Sequence, residues 1–234
     1  MSRVAKITSA THPGGFWRRC AAWSLDAAIV GLPLLALTWS HLVRGLRVAR
    51  AAFDALSGRI AAMLSDGLAT MQDPQVLLLQ WLQQGALRAE SETLQAALWD
   101  SVQPALTAFI VVAAVYWIVF EHSSWQATPG KRALGLVVVD AQGRRLSLGR
   151  SIARHCAGAL SWITCNLGHA LAAVPPDKRA LHDRIAGTRV LQHDAPQTRL
   201  PAWAIAWLVL QALVGIVATY WLFRALRVAA GNAL

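Results

Sequence analysis

Apolar residues gather in three long runs, Cys20 to Val43, Ala105 to Phe120 and Ala202 to Phe223. Each is close to the roughly 20 residues a helix needs to cross the hydrocarbon of a bilayer. Asp26 is the one acidic charge inside them. A fourth run, Cys156 to Val174, is free of charge but has Asn166, Gly168 and His169 near its middle. Ser151 to Trp162 and Leu167 to Val174 are each too short to span, and Thr164 to Gly168 supplies turn residues between them. The pattern therefore predicts a re-entrant or interfacial helical hairpin, with a single crossing helix as the competing reading. Two β-branched stretches, Leu136 to Asp140 and Thr188 to Gln192, read as strands that pair only if both lie on one side of the membrane. Ala141, Gln142 and Gly143 read as a turn leading to a return strand, Arg144 to Leu148.

Between the first two spans the pattern changes. Leu46, Ala49, Phe53, Leu56, Ile60 and Met63 recur at intervals of three and four, an apolar stripe on one helix face. Asp73 as N-cap and Pro74 at the first helical position start a second helix, Gln75 to Trp99, that carries Leu78, Trp81, Leu82, Leu94 and Leu98. The expected architecture is an all-α polytopic membrane protein: three spanning helices, a re-entrant or interfacial helical hairpin, a small cytoplasmic β-hairpin or sheet and an external helical insert. The expected divisions are 1–43, a basic tail with the first span; 44–104, the extramembrane insert; 105–200, the second span with sheet and hairpin; and 201–234, an additional C-terminal span.

Composition agrees with a membrane setting, because the chain is 56% hydrophobic and yet carries a formal net charge of +10. Basic residues collect on cytoplasmic segments. The tail holds Arg3, Lys6, Arg18 and Arg19 with no acid, whereas Arg44 to Pro104 has five arginines against six acids. This sets the N-terminus inside and the insert outside. After the second span Lys131, Arg132, Arg144, Arg145, Arg150 and Arg154 cluster beside the bilayer, where they are candidates for anionic lipid headgroups. Nucleic acid would use the same charge, but no recognition helix or stacking array accompanies it. Tryptophans such as Trp17, Trp39, Trp117, Trp125, Trp203 and Trp221 fall near the ends of the spans, as interfacial indoles do.

Enzyme chemistry finds little purchase. Thr128 to Arg132, TPGKR, lacks the long glycine approach and the hydroxyl residue after the lysine that a phosphate loop requires. Cys20, Cys156 and Cys165 have neither a disulfide-like count nor metal-ligand spacing, and His155 is better read as a packed histidine than as a ligand. No small-residue cleavage site follows Leu37, which argues against a cleaved signal segment. No cofactor, no metal and no catalytic residue is expected.

Three stretches together resemble the RDD family of bacterial membrane proteins: GFWRRCAAWSLD at Gly15 to Asp26, TPGKRALGLVVVDAQGRRLSLGRS at Thr128 to Ser151 and DKRALHDRIAGTRVL at Asp177 to Leu191. The family takes its name from an arginine and two aspartates, which the resemblance assigns to Arg19 or its neighbour Arg18, to Asp26 and to Asp183. It implies a membrane protein with a suspected role in transport, and sodium-proton exchange for some members. The insert is longer than the family's usual loop, and Ala202 to Phe223 is an added span.

Asp26 follows Arg19 by seven residues, about 10 Å of helical rise, which is too far for an ion pair along the helix. An unpaired carboxylate at its depth costs on the order of 3 kcal/mol, so a partner from elsewhere is expected. Arg184, His182 and Lys131 are the sequence candidates, with Arg184 expected nearest to Asp26 or Asp183 and Arg19 closing the opposite side. Arg18, Arg19, Asp26, His182, Asp183 and Arg184 then form either a site for small cations or protons or a polar clamp with a purely structural or assembly role. Self-association is left open.

Overall fold

A computed structural model describes residues 12–71, 73, 75–76, 79, 81, 85, 87–164, 166–192 and 199–231. In chain order the elements are β1 (His12–Pro13), α1 (Phe16–Ala69), α2 (Arg88–His122), α3 (Pro129–Ala133), β2 (Leu136–Asp140), α4 (Leu148–Ile163), α5 (Leu167–Ala170), a 3-10 turn (Leu171–Ala173), α6 (Leu181–Ile185), β3 (Thr188–Gln192) and α7 (Ala202–Gly231). Among the described residues, three helices, within Phe16–Ala69, Arg88–His122 and Ala202–Ala225, are long and apolar enough to cross a membrane. This is an all-α polytopic membrane protein with a small sheet. Two units are distinguished, one within Met1–Pro33 and Phe109–Leu210 and the other within Leu34–Ala108 and Gln211–Leu234.

In the second unit the apolar stripe of the insert does not start a new helix; it continues α1 without a break. Gly45, a weak helix former, is kept inside the helix by packing. A β-carbon there would overlap the side chain of Ser101 on α2, which is fully buried. Ala49, Ala52 and Ala97 are also buried, so small residues line the region where the two helices come close. His41 Nε2 is 2.9 Å from the carbonyl of Asp100. The Asp73 carboxylate accepts from the Gln75 amide at 2.7 Å, as an N-cap does. Pro74, Leu78 and Leu82 lie outside the described residues.

In the first unit the sheet order is β1-β3-β2, antiparallel throughout, with Leu136 opposite Gln192 and Asp140 opposite Thr188. The two predicted strands pair over their full length. The third strand is His12–Pro13, not the expected return strand Arg144 to Leu148. Asp140 explains this: its Oδ1 accepts from the amides of Gln142 at 2.9 Å and Arg144 at 2.8 Å, closing a tight turn. The chain then plugs Leu146 into the core and enters α4, where the Ser147 hydroxyl accepts from the Arg150 amide. Leu134, Leu136, Val138, Leu146 and Val190 pack against Ala21 and Ala22 of α1 and Ala204 of α7, with Leu200 and Leu208 against the same cluster. The C-terminal helix is thus a wall of this core.

The fourth apolar run folds as the hairpin. α4 ends at Ile163, Asn166 adopts a left-handed conformation with φ 64°, and α5 runs on into the 3-10 turn. Cys165 lies outside the described residues. α4 is polar inward and apolar outward: Ser151, Arg154 and Ser161 are buried, whereas Leu148, Ile152, Leu160 and Ile163 are exposed. Such a helix suits a lipid face on one side and a polar interior on the other. Because β2 and β3 are neighbours, the 141–187 segment leaves and returns on one side, and its return arm is too short to span. In a cysteine-free background, single cysteines at Gln142 and Asp177 should react with a membrane-impermeant maleimide from the same face. Labelling from opposite faces would make α4 a crossing helix.

Candidate functional site

The first turns of α1 carry the arginine pair. Arg18 donates from Nη1 to the Leu134 carbonyl at 3.2 Å and from Nη2 to the Arg199 carbonyl at 2.7 Å, tying α1 to the end of α3 and the approach to α7. Arg19 has a different set of partners. Its Nε donates to the Gly14 carbonyl at 2.9 Å, its Nη2 to the Lys178 carbonyl at 2.6 Å, and its Nη1 to Asp183 Oδ2 at 2.5 Å.

Asp26, two helical turns further on, is fully buried. Its Oδ1 accepts from the Tyr116 hydroxyl at 2.8 Å and from the Gly130 amide at 2.7 Å, and its Oδ2 accepts from the Thr128 hydroxyl at 2.5 Å. All three donors are uncharged. Thr128 is also the N-cap of α3, so one side chain starts that helix and anchors it to α1. Gly130 is needed for the approach, since a β-carbon there would overlap both the Asp26 carboxylate and the Ala22 carbonyl.

A second polar cluster is built from charges alone. Lys131 Nζ pairs with Glu121 Oε1, Glu121 Oε2 with Arg154 Nε at 3.0 Å, Arg154 Nη1 with Asp183 Oδ1, and Asp183 Oδ2 with Arg19 at 2.5 Å. The result is an alternating chain of three cations and two carboxylates from α1, α2, α3, α4 and α6. Each side chain is 13% exposed or less. Thr188 on β3 joins it by accepting from Arg154 Nη1 at 2.8 Å. Asp183 also accepts from the Ala180 amide at 2.9 Å, which closes the first turn of α6.

Burial alone would raise the Asp183 carboxyl, but the guanidiniums of Arg154 and Arg19 more than reverse this and hold it far below the usual carboxylate range. His182 lies beside it, Nε2 to Oδ1 3.7 Å, with its ring centroid 5.1 Å from that of His169. Burial, reinforced by the charge on Arg154, lowers the His182 ring to about 3. It is therefore a neutral neighbour of the charge chain at physiological pH, and its Nδ1 is buried without a hydrogen-bond partner among the described residues.

Several expectations need correction. Arg184 does not meet Asp26: its side chain is exposed and donates to the Arg179 carbonyl at 3.5 Å, because α6 turns Asp183 inward and its neighbour outward. Lys131 and Arg154, grouped with the headgroup candidates, are buried in ion pairs. Arg144 and Arg150 reach Asp140 at 3.1 and 3.2 Å, Arg145 is exposed, and Arg132 stacks on Trp125. Arg19 and Asp183 do come together as expected. Glu121 was missed, although a lone acid directly after an apolar run, Phe120 then Glu121, is a signal in itself. Tyr116, Thr128 and Gly130 were missed because uncharged donors to a carboxylate have no sequence signature.

A model of the RDD family matches residues 13–187. The chain belongs to the RDD family. The match contains the Asp26 cage and all five charged members of the second cluster, and it ends just before β3, so Thr188 and the last helix of the core lie beyond it. Among curated proteins, the uncharacterised protein YxaI of Bacillus subtilis (strain 168) is 30% identical over 179 residues, covering 76% of this chain and 97% of that protein. No solved structure matches. In this RDD protein the four residues singled out in the sequence have distinct contacts: Arg19 and Asp183 form an ion pair, Arg18 donates to backbone carbonyls, and Asp26 sits in a cage of neutral donors.

Asp26→Asn and Arg184→Ala should be additive in thermal stability to within about 0.5 kcal/mol, since the two side chains share no partner. A larger coupling would place them in contact. His182 gives a pH signature. Its folded value lies below the ordinary value of about 6.5, so its contribution is complete above that pH and is lost as pH falls from there towards 3. Between pH 7 and pH 5 the native protein should lose roughly 1–2 kcal/mol more than His182→Gln. Parallel stability curves would contradict this.

Proposed function

We propose that this RDD protein is a non-transporting assembly module of the bacterial inner membrane, with its N-terminus in the cytoplasm. Its polar clusters clamp a basic cytoplasmic sheet and hairpin to the membrane helices, so that this surface is held rigidly at the bilayer for interaction. The basic tail and the charge-balanced insert support this orientation. The observation that carries the reading is that both oxygens of Asp26, of Glu121 and of Asp183 already accept hydrogen bonds from protein donors, so an ion or proton taken up there competes with the contacts that join the helices. A buried ionic network of this kind is suited to specifying one arrangement of helices.

A second reading, exchange of small cations or protons, has one observation in its favour. Asp26 is a buried carboxylate within the first apolar run whose hydrogen-bond donors among the described residues are all neutral. Proteoliposomes containing a pH-sensitive dye separate the two. The assembly reading expects wild-type flux equal to empty vesicles under sodium, potassium and proton gradients. It also expects Asp26→Asn to lose about 1–3 kcal/mol of stability from mismatched donors. Wild-type flux that Asp26→Asn abolishes at unchanged stability would establish transport instead.

A further inference from the structure

We propose that Arg132, stacked on Trp125 just beyond the end of α2, is the seat of an anionic phospholipid headgroup, with the phosphodiester as the group it holds. Charge first singles out the unit. Its described residues carry thirteen Lys and Arg against five Asp and Glu, whereas those of the second unit carry seven against six. Within the basic unit most cations already have acceptors. Arg19, Lys131 and Arg154 are buried against Glu121 and Asp183, Arg144 and Arg150 share Asp140, and Arg18 and Arg179 donate to backbone carbonyls.

Arg132 differs. It is exposed, its Cζ lies 4.3 Å from the Trp125 ring centroid, and among the described residues no acceptor is hydrogen-bonded to its guanidinium. Stacking occupies the face of the guanidinium and leaves its N–H edges available, which is the geometry that takes two phosphate oxygens at once. Trp125 is 46% exposed and packs against Phe120, the last residue of the second apolar run, with ring centroids 5.5 Å apart. The pair therefore lies where indoles settle among headgroups. Trp17 and Trp203, 65% and 46% exposed, stand at the corresponding ends of the first and third spans. Arg145 and Arg189 are also exposed but have no aromatic platform among the described residues.

Native mass spectrometry of the full-length protein, titrated with phosphatidylglycerol, phosphatidylcholine or inorganic phosphate, tests the assignment. The wild type should prefer phosphatidylglycerol. Arg132→Ala should weaken that binding about fivefold, matching the ~1 kcal/mol a basic side chain gains at an anionic surface. Trp125→Leu, which keeps the charge and removes the platform, should weaken it about two- to threefold, and Arg145→Ala should leave it unchanged. Should Arg132→Ala fail to fold, Arg132→Lys gives the same comparison and should bind less than wild type. Equal binding of the two lipids, wild-type affinity in the Arg132 variants, or inorganic phosphate bound as tightly as phosphatidylglycerol would each overturn the proposal.

Discussion

Two carboxylates shared among three cations form the interaction on which the rest of this fold depends. Glu121 and Asp183 are the scarce members of the chain that runs from Lys131 through Arg154 to Arg19. Each bridges two cations, and each cation comes from a different helix. Removing one partner of a buried pair typically costs about 3–5 kcal/mol, because the remaining charge is left without compensation. Here the loss of a carboxylate strands cations, whereas the loss of Arg154 would leave two complete pairs, Lys131 with Glu121 and Arg19 with Asp183. The α4–α5 hairpin can turn polar residues inward and apolar residues outward because Arg154 finds both carboxylates waiting on the inner side.

Asp26 solves a separate problem by a different route. A carboxylate so deep in the first helix has to be matched, and three neutral donors do this without adding charge to an already basic unit. The same contacts dock α3 on α1 through Thr128 and Gly130, directly before Lys131 enters the charge chain. The TPGKR stretch is thus a connector: its threonine and glycine serve Asp26, its lysine serves Glu121, and its second basic residue faces outward over Trp125.

Much of the fold was legible in the residues. The three spans announce themselves by length, the two strands by β-branched runs, and the hairpin by Asn166 and Gly168 inside an otherwise apolar run. What escaped were features decided by tertiary contact. The insert 44–104 reads as a separate unit, but the missing side chain of Gly45 lets α1 pass close to Ser101, and the helix continues through it. Arg144 to Leu148 alternates like a strand, but the Asp140 carboxylate captures the backbone first. Arg184 and Asp183 are adjacent in sequence and point to opposite sides of a short helix. Lys131 and Arg154 look like surface charge until Glu121 is seen behind them.

The most direct measurement of this account is the thermal stability, in lipid nanodiscs, of Glu121→Gln alone and in combination with Lys131→Met. Glu121→Gln strands Lys131 in a buried site, so removing the lysine as well should recover a large part of the loss, and the double variant should be more stable than the single one. If the second substitution instead destabilises the protein further by its own separate amount, the chain of shared carboxylates does not hold these helices together.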